Sequence, residues 1–82
     1  MKMYHELTDT PKIRQLIRDA LASQRGATFN GHTARQYITD VYGITGIDWH
    51  VCSYVLDSLC TRKQARVTGY NSDGMEQITI NL

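Results

Sequence analysis

Eighty-two residues suffice for one small domain with a single core, since most domains begin at about 50–100 residues. Hydrophobic residues make up 41% of the chain and charged residues 21%, the balance of a globular fold rather than a disordered tail, and the net charge of +1 projects no strong field toward nucleic acid or a membrane surface. No apolar run approaches the roughly 18 residues of a bilayer span and no charged-then-apolar leader opens the chain, so a cytoplasmic protein without membrane contact is expected. The two cysteines, Cys52 and Cys60, make a poor staple set and suit a reducing compartment.

The first element in chain order is a helix from Thr10 to about Gln24. The Thr10 hydroxyl is placed to cap it, and Pro11 suits the first turn, where its missing N–H costs nothing. Ile13, Leu16, Ile17, Ala20 and Leu21 recur at helical spacing and form the inward stripe. Gly26 is the expected stop. Residues 27–30 are too short for an independent strand and read as one edge rung of a small sheet. A second helix is expected from Thr33, with Thr33 and Gln36 at capping-box spacing, an inward stripe of Ala34, Tyr37, Ile38 and Val41, and Gly43 as its end.

The third helix is expected to begin at Asp48, an acidic cap favoured by the positive end of the helix dipole. Cys52, Val55, Leu56 and Leu59 then face the core, leaving His50, Ser53, Tyr54 and Asp57 outward. Trp49, one turn before Cys52, reads as a side chain that covers the core. Beyond Thr61 the period becomes two: Ala65 and Val67, then Ile78, Ile80 and Leu82, alternate with polar residues as half-buried strands do. The turn formers from Gly69 to Gly74 between them predict a hairpin with a loose tip.

Helix, short strand, helix, turn, helix, strand, loop, strand is an order that resembles the winged helix-turn-helix superfamily over about residues 10–82. Thr33 to Val41 is similar to the first helix of its helix-turn-helix, Gly46-Ile47-Asp48 to the turn, and Val55 to Leu59 with Ala65-Arg66-Val67 to the recognition helix entering the wing. The resemblance implies an α+β winged helix of three helices, a short strand and a C-terminal β-hairpin wing, preceded by an N-terminal segment 1–9. Winged helices mostly bind duplex DNA, with the third helix in the major groove and the wing against the backbone, while a sizeable minority bind proteins.

On that resemblance, His50, Ser53 and Tyr54 are the candidate base contacts, and Arg35, Arg62, Lys63 and Arg66 the candidate phosphate contacts. Each has a plainer reading beside it. Arg62, Lys63 and Arg66 follow a helix C-terminus, where cations are favoured in any protein. Arg35 reads equally as a solvated surface charge, and an exposed tyrosine such as Tyr54 is as often a protein-interface anchor. Charge is also against a simple DNA reading. Residues 1–41 carry +2 and residues 42–82 carry −1, the presumptive wing tip holds Asp73 with no lysine or arginine, and the outward third-helix positions hold no arginine for guanine. The linker from Tyr42 to Ile47 is longer than the tight turn of the motif.

Catalysis, metal and cofactor chemistry find no support. His50 lies two residues from Cys52, about 200° around a helix, so the two do not form a nucleophile and base. His5, His32 and His50 have no ligand spacing, Cys52 and Cys60 are about 12 Å apart on one helix, and Gly43 and Gly46 lack the lysine of a phosphate loop. The expected function is a small DNA-binding regulator of bacterial or phage type, not an enzyme. The alternative is a winged-helix adaptor or inhibitor that binds another protein without DNA. A homodimer fits either, and the N-terminal segment (apolar at Met1, Met3, Tyr4 and Leu7) is expected either to lie across a partner subunit or to fray as a flexible terminus.

Overall fold

The computed structural model describes residues 10–81, so the expectations for the segment 1–9 and for Leu82 lie outside the described residues. Among the described residues, three helices and a small antiparallel sheet enclose one core: α1 Pro11–Ala22, β1 Thr28–Phe29, α2 Gly31–Tyr42, α3 Trp49–Thr61, β2 Ala65–Tyr70 and β3 Glu76–Ile80. Among the described residues no helix is long and apolar enough to cross a membrane.

The start of α1 follows its sequence: the Ile13 N–H donates to Thr10 Oγ1 at 3.1 Å and Pro11 occupies the first turn. The helix stops at Ala22, earlier than expected, because Ser23 caps it, donating its N–H to the Asp19 carbonyl and its hydroxyl to that of Ala20. Gly26, in the left-handed region at φ +85°, has a different task. Its N–H donates to the Ile80 carbonyl at 2.8 Å and begins the pairing of the next segment with β3. Ile17, Ala20 and Leu21 are buried, but Leu16 is 37% exposed. It lies about 100° round the helix from Ile17 and looks over the edge of the stripe.

The second helix begins two residues before the expected Thr33. Asn30 is the cap: the Thr33 N–H donates to Asn30 Oδ1, and the Asn30 N–H donates to Thr33 Oγ1, both at 2.9 Å. Thr33 is therefore the inner partner of the capping box, and Gln36 instead donates to Asp40 at 2.8 Å. Gly43 closes the helix in the left-handed region as expected. Val41 is 56% exposed, contrary to the stripe reading. The linker doubles back over this end of the core, where the Thr39 hydroxyl donates to the Ile44 carbonyl and Ile44 and Ile47 pack inward in place of Val41.

Asp48 caps α3, and Val51, Cys52, Val55, Leu56 and Leu59 form its buried side. The exit from α3 departs from the glycine rule. Lys63 stands at φ +62°, while its N–H donates to the Cys60 carbonyl and the Gln64 N–H donates to the Leu59 carbonyl, each at 2.9 Å. These two bonds are the Schellman pattern, in which glycine usually takes the left-handed position. A lysine there costs about 1–2 kcal/mol of Cβ crowding.

The sheet has the order β1-β3-β2, with every pairing antiparallel. The expected partnership of Ala65–Val67 with Ile78–Ile80 is present, but β3 is the central strand and pairs on its other edge with β1, Thr28 opposite Thr79 and Phe29 opposite Ile78. β2 is an edge strand with a bulge between Val67 and Gly69, and Val67, expected inside, is 41% exposed. On the outer face, the hydroxyls of Thr28, Thr79 and Thr68 are linked at 2.8 Å each, one from every strand. The loop tip is tied rather than loose, since Asn71 Oδ1 accepts the N–H groups of both Asp73 and Met75.

Gly31 fixes how closely α2 and α3 approach. A Cβ at this position would collide with Ser53 Oγ and stand 2.8 Å from Trp49 Cε3 and 2.9 Å from the Trp49 carbonyl oxygen. Because one obstacle is backbone, Gly31→Ala is expected to destabilise the fold by about 1–3 kcal/mol, the usual range for overpacking, as read from denaturant melts. Lys63→Gly is expected to act oppositely, raising stability by about 1 kcal/mol through relief of the left-handed strain.

Candidate nucleic-acid interface

One side of α3 is consumed by the core, and the residues that remain define the candidate surface. His50, Tyr54, Asp57 and Thr61, at intervals of four, three and four, are all exposed and share the opposite side of the helix. Tyr54, 57% exposed, is steadied by α1: the Arg14 guanidinium carbon stands 5.5 Å from its ring centroid, within cation–π range. Ser53 is only half-buried and turns its hydroxyl toward Gly31 instead of joining that exposed row.

The N-terminal end of α3 is an aromatic and charged cluster. Trp49 lies against two imidazoles, His32 of α2 at 4.5 Å and His50 at 3.9 Å between ring centroids. Asp48 Oδ1 accepts the His50 N–H at 2.9 Å and lies 3.0 Å from His50 Nδ1. The backbone N–H of His50 holds the Asp48 carboxyl below its ordinary range, and the His50 ring and the nearby Arg35 guanidinium act in the same direction. Arg35 thus belongs to this end of α3.

Arg62 is the C-cap at the other end, followed by Lys63 in its left-handed position. Arg66 is exposed on β2 opposite Thr79, on the face that carries the threonine ladder. Thirteen helical residues span about 20 Å. The seven candidate contacts therefore divide: Arg35, His50 and Ser53 at one end, Tyr54 between, and Arg62, Lys63 and Arg66 at the other.

A cleft of about 150 Å³ opens beside α3, lined by Asn30, Trp49, Ser53, Asp57, Met75 and Glu76 among others. Its two carboxylates give this flank a negative character. His32, weighed in the sequence only as a metal ligand, stands beside Trp49, and the buried Gly31 lines the cleft. The signal was the pair of cap-forming residues Asn30 and Thr33 three positions apart, which starts the helix early enough to set His32 beside Trp49.

The cysteines stay out of this surface. Cys52 is fully buried, and burial pushes its thiol up to about 11. Cys60 is raised by burial first and by the neighbouring Asp57 and Glu76 second. Both are free thiols, and among the described residues no group of three His, Cys, Asp or Glu side chains is placed to hold a metal ion.

Comparison with protein-family models, with curated proteins and with solved structures gives no significant match.

Because the Cys52 thiol is raised in the folded chain, its contribution to stability is complete below its ordinary value near 9 and is lost as pH rises toward about 11. Denaturant melts across that interval are expected to show declining stability, with a shallower decline in Cys52→Ala than in the parent chain.

Proposed function

We propose that this chain is a small winged-helix protein that binds duplex DNA, of the kind that serves as a bacterial or phage transcriptional regulator. The observation that carries the reading is the exposed row of His50, Tyr54, Asp57 and Thr61 on α3, followed at the helix end by the cations Arg62 and Lys63. The major groove is about 12 Å wide. A helix of about 20 Å with a mostly uncharged exposed row and cations at its C-terminal end is proportioned to lie in that groove and reach the phosphates beside it. The order of elements supports the same reading, since α3 leads directly into β2, and on this reading Arg66 of β2 is a backbone contact.

The strained lysine adds weight. A left-handed non-glycine residue costs stability, and such costs are retained where the position has a task. On this reading His50 and Tyr54 meet base edges, while Asp57 limits which bases are tolerated by accepting from cytosine N4 and repelling phosphate.

A second reading rests on the acidic flank of α3. Asp57 and Glu76 border the cleft beside Ser53, and Tyr54 stands exposed nearby. A basic protein partner would meet this flank better than a phosphate backbone does, with Tyr54 as its anchor.

Fluorescence anisotropy of a labelled random duplex, titrated at several salt concentrations, separates the readings. The expected result is binding that weakens steeply as salt rises. Changing Arg62 and Lys63 together to alanine is expected to weaken binding to every sequence and to lower the log–log salt slope by about 2. An unchanged slope would falsify the assignment of these two residues, and no duplex binding at low salt would favour the protein-partner reading.

A further inference from the structure

The outer face of α1 carries an open groove of about 710 Å³, lined by Pro11, Lys12, Leu16, Asp19 and Ala20 together with Tyr42 from the end of α2. Leu16 and Tyr42 leave 37% and 46% of their surfaces exposed here. We propose that a second copy of this chain occupies this groove, with the two α1 helices antiparallel across a two-fold axis at Leu16.

Charge complementarity selects this occupant. Lys12 and Asp19 are seven residues apart, within about 20° of two full turns, so they stand on the same side of α1 as Leu16. Measured along the helix, Lys12 lies about 6 Å to one side of Leu16 and Asp19 about 4.5 Å to the other. A two-fold axis at Leu16 therefore sets Lys12 against the partner subunit's Asp19, and by symmetry the reverse pair forms as well. Leu16 meets the partner subunit's Leu16 between these pairs, with Tyr42 forming the side wall of each groove. Parallel pairing would instead oppose lysine to lysine and aspartate to aspartate. The aspartate is already oriented, since Gln15 Nε2 donates to Asp19 Oδ1 at 2.8 Å and Arg18 in turn donates to Gln15 at 2.7 Å.

The contact is independent of the nucleic-acid reading and compatible with it. Arg14, which reaches over Tyr54, lies about 200° round α1 from Lys12, so pairing through the groove leaves the exposed row of α3 uncovered. A dimer of this form presents two such rows.

Sedimentation equilibrium of the full chain, from low micromolar to near-millimolar concentration, tests the contact. A monomer–dimer equilibrium is expected, with Leu16→Glu shifting the chain to monomer over the whole range. Lys12→Glu and Asp19→Lys are each expected to weaken the dimer roughly tenfold, while the double exchange restores it to within a few-fold of the parent. Both side chains are exposed, so these exchanges remain informative even if Leu16→Glu perturbs folding. A chain monomeric throughout, a dimer indifferent to Leu16→Glu, or a double exchange no better than the single ones overturns the proposal.

Discussion

The buried side of α3 is the constraint on which the remaining structure depends. Val51, Cys52, Val55, Leu56 and Leu59 present an almost continuous apolar wall, and α1, α2 and β2 all pack against that helix. Apolar burial at roughly 25 cal/mol per Å² makes such a shared wall the main source of cohesion in a domain with so small a core. The wall also dictates what is left over. With five positions committed inward, His50, Tyr54, Asp57 and Thr61 have nowhere to go but solvent. The outward row is thus fixed by packing before any ligand is considered. Gly31 sets the remaining degree of freedom, because only a residue without Cβ lets the start of α2 close onto Trp49.

Local signals in the sequence were enough where one physical cause acted alone. Thr10 followed by Pro11 marks a helix start by cap chemistry, and the spacing of Cys52, Val55, Leu56 and Leu59 marks a helix side without competition from another period. Alternation around Ile78 and Ile80 likewise gives the inward face of β3. Ambiguity arose where two causes overlapped. Asn30 and Thr33 are both good caps, and their reciprocal bonds make them outer and inner members of one motif, so the choice of Thr33 as the start misplaced the helix by two residues. Leu16 and Val41 lie at the margins of their stripes, where exposure is decided by the neighbouring segment. For Val41 that segment is the linker, whose Ile44 and Ile47 fill the space.

Two features were not legible at all, for different reasons. The contact at Gly31 joins residues far apart in the chain, and a lone glycine in a sequence does not announce what passes over it. Lys63 defeats the usual rule because the rule expects glycine or asparagine at a left-handed helix stop. For the candidate site, the identities of the cations were readable but their distribution was not. A linear list groups Arg62, Lys63 and Arg66, whereas the fold adds Arg35 about one helix length away and sets His32 and Trp49 beside it. Acidic Asp57 and Glu76 border one flank of α3, Arg62 and Lys63 follow its end, and Arg35 stands near Asp48 at its start.

The central place of β3 bears on how the chain acquires its shape. Thr28 and its partner Thr79 are 51 residues apart, and β1 is hydrogen-bonded to β3 and not to β2. During synthesis the three helices and both outer strands emerge before the strand that joins them. Helices form and collapse through nearby residues on microsecond timescales, while distant strand pairing must first overcome loop-closure entropy. β2 and β3 are joined by a short turn, whereas the β1 contact spans 51 residues, so the larger loop-closure cost falls on joining β1 to β3. Until β1 is joined to β3, Phe29 lies on an unpaired edge, the kind of exposed apolar strand that favours association between chains.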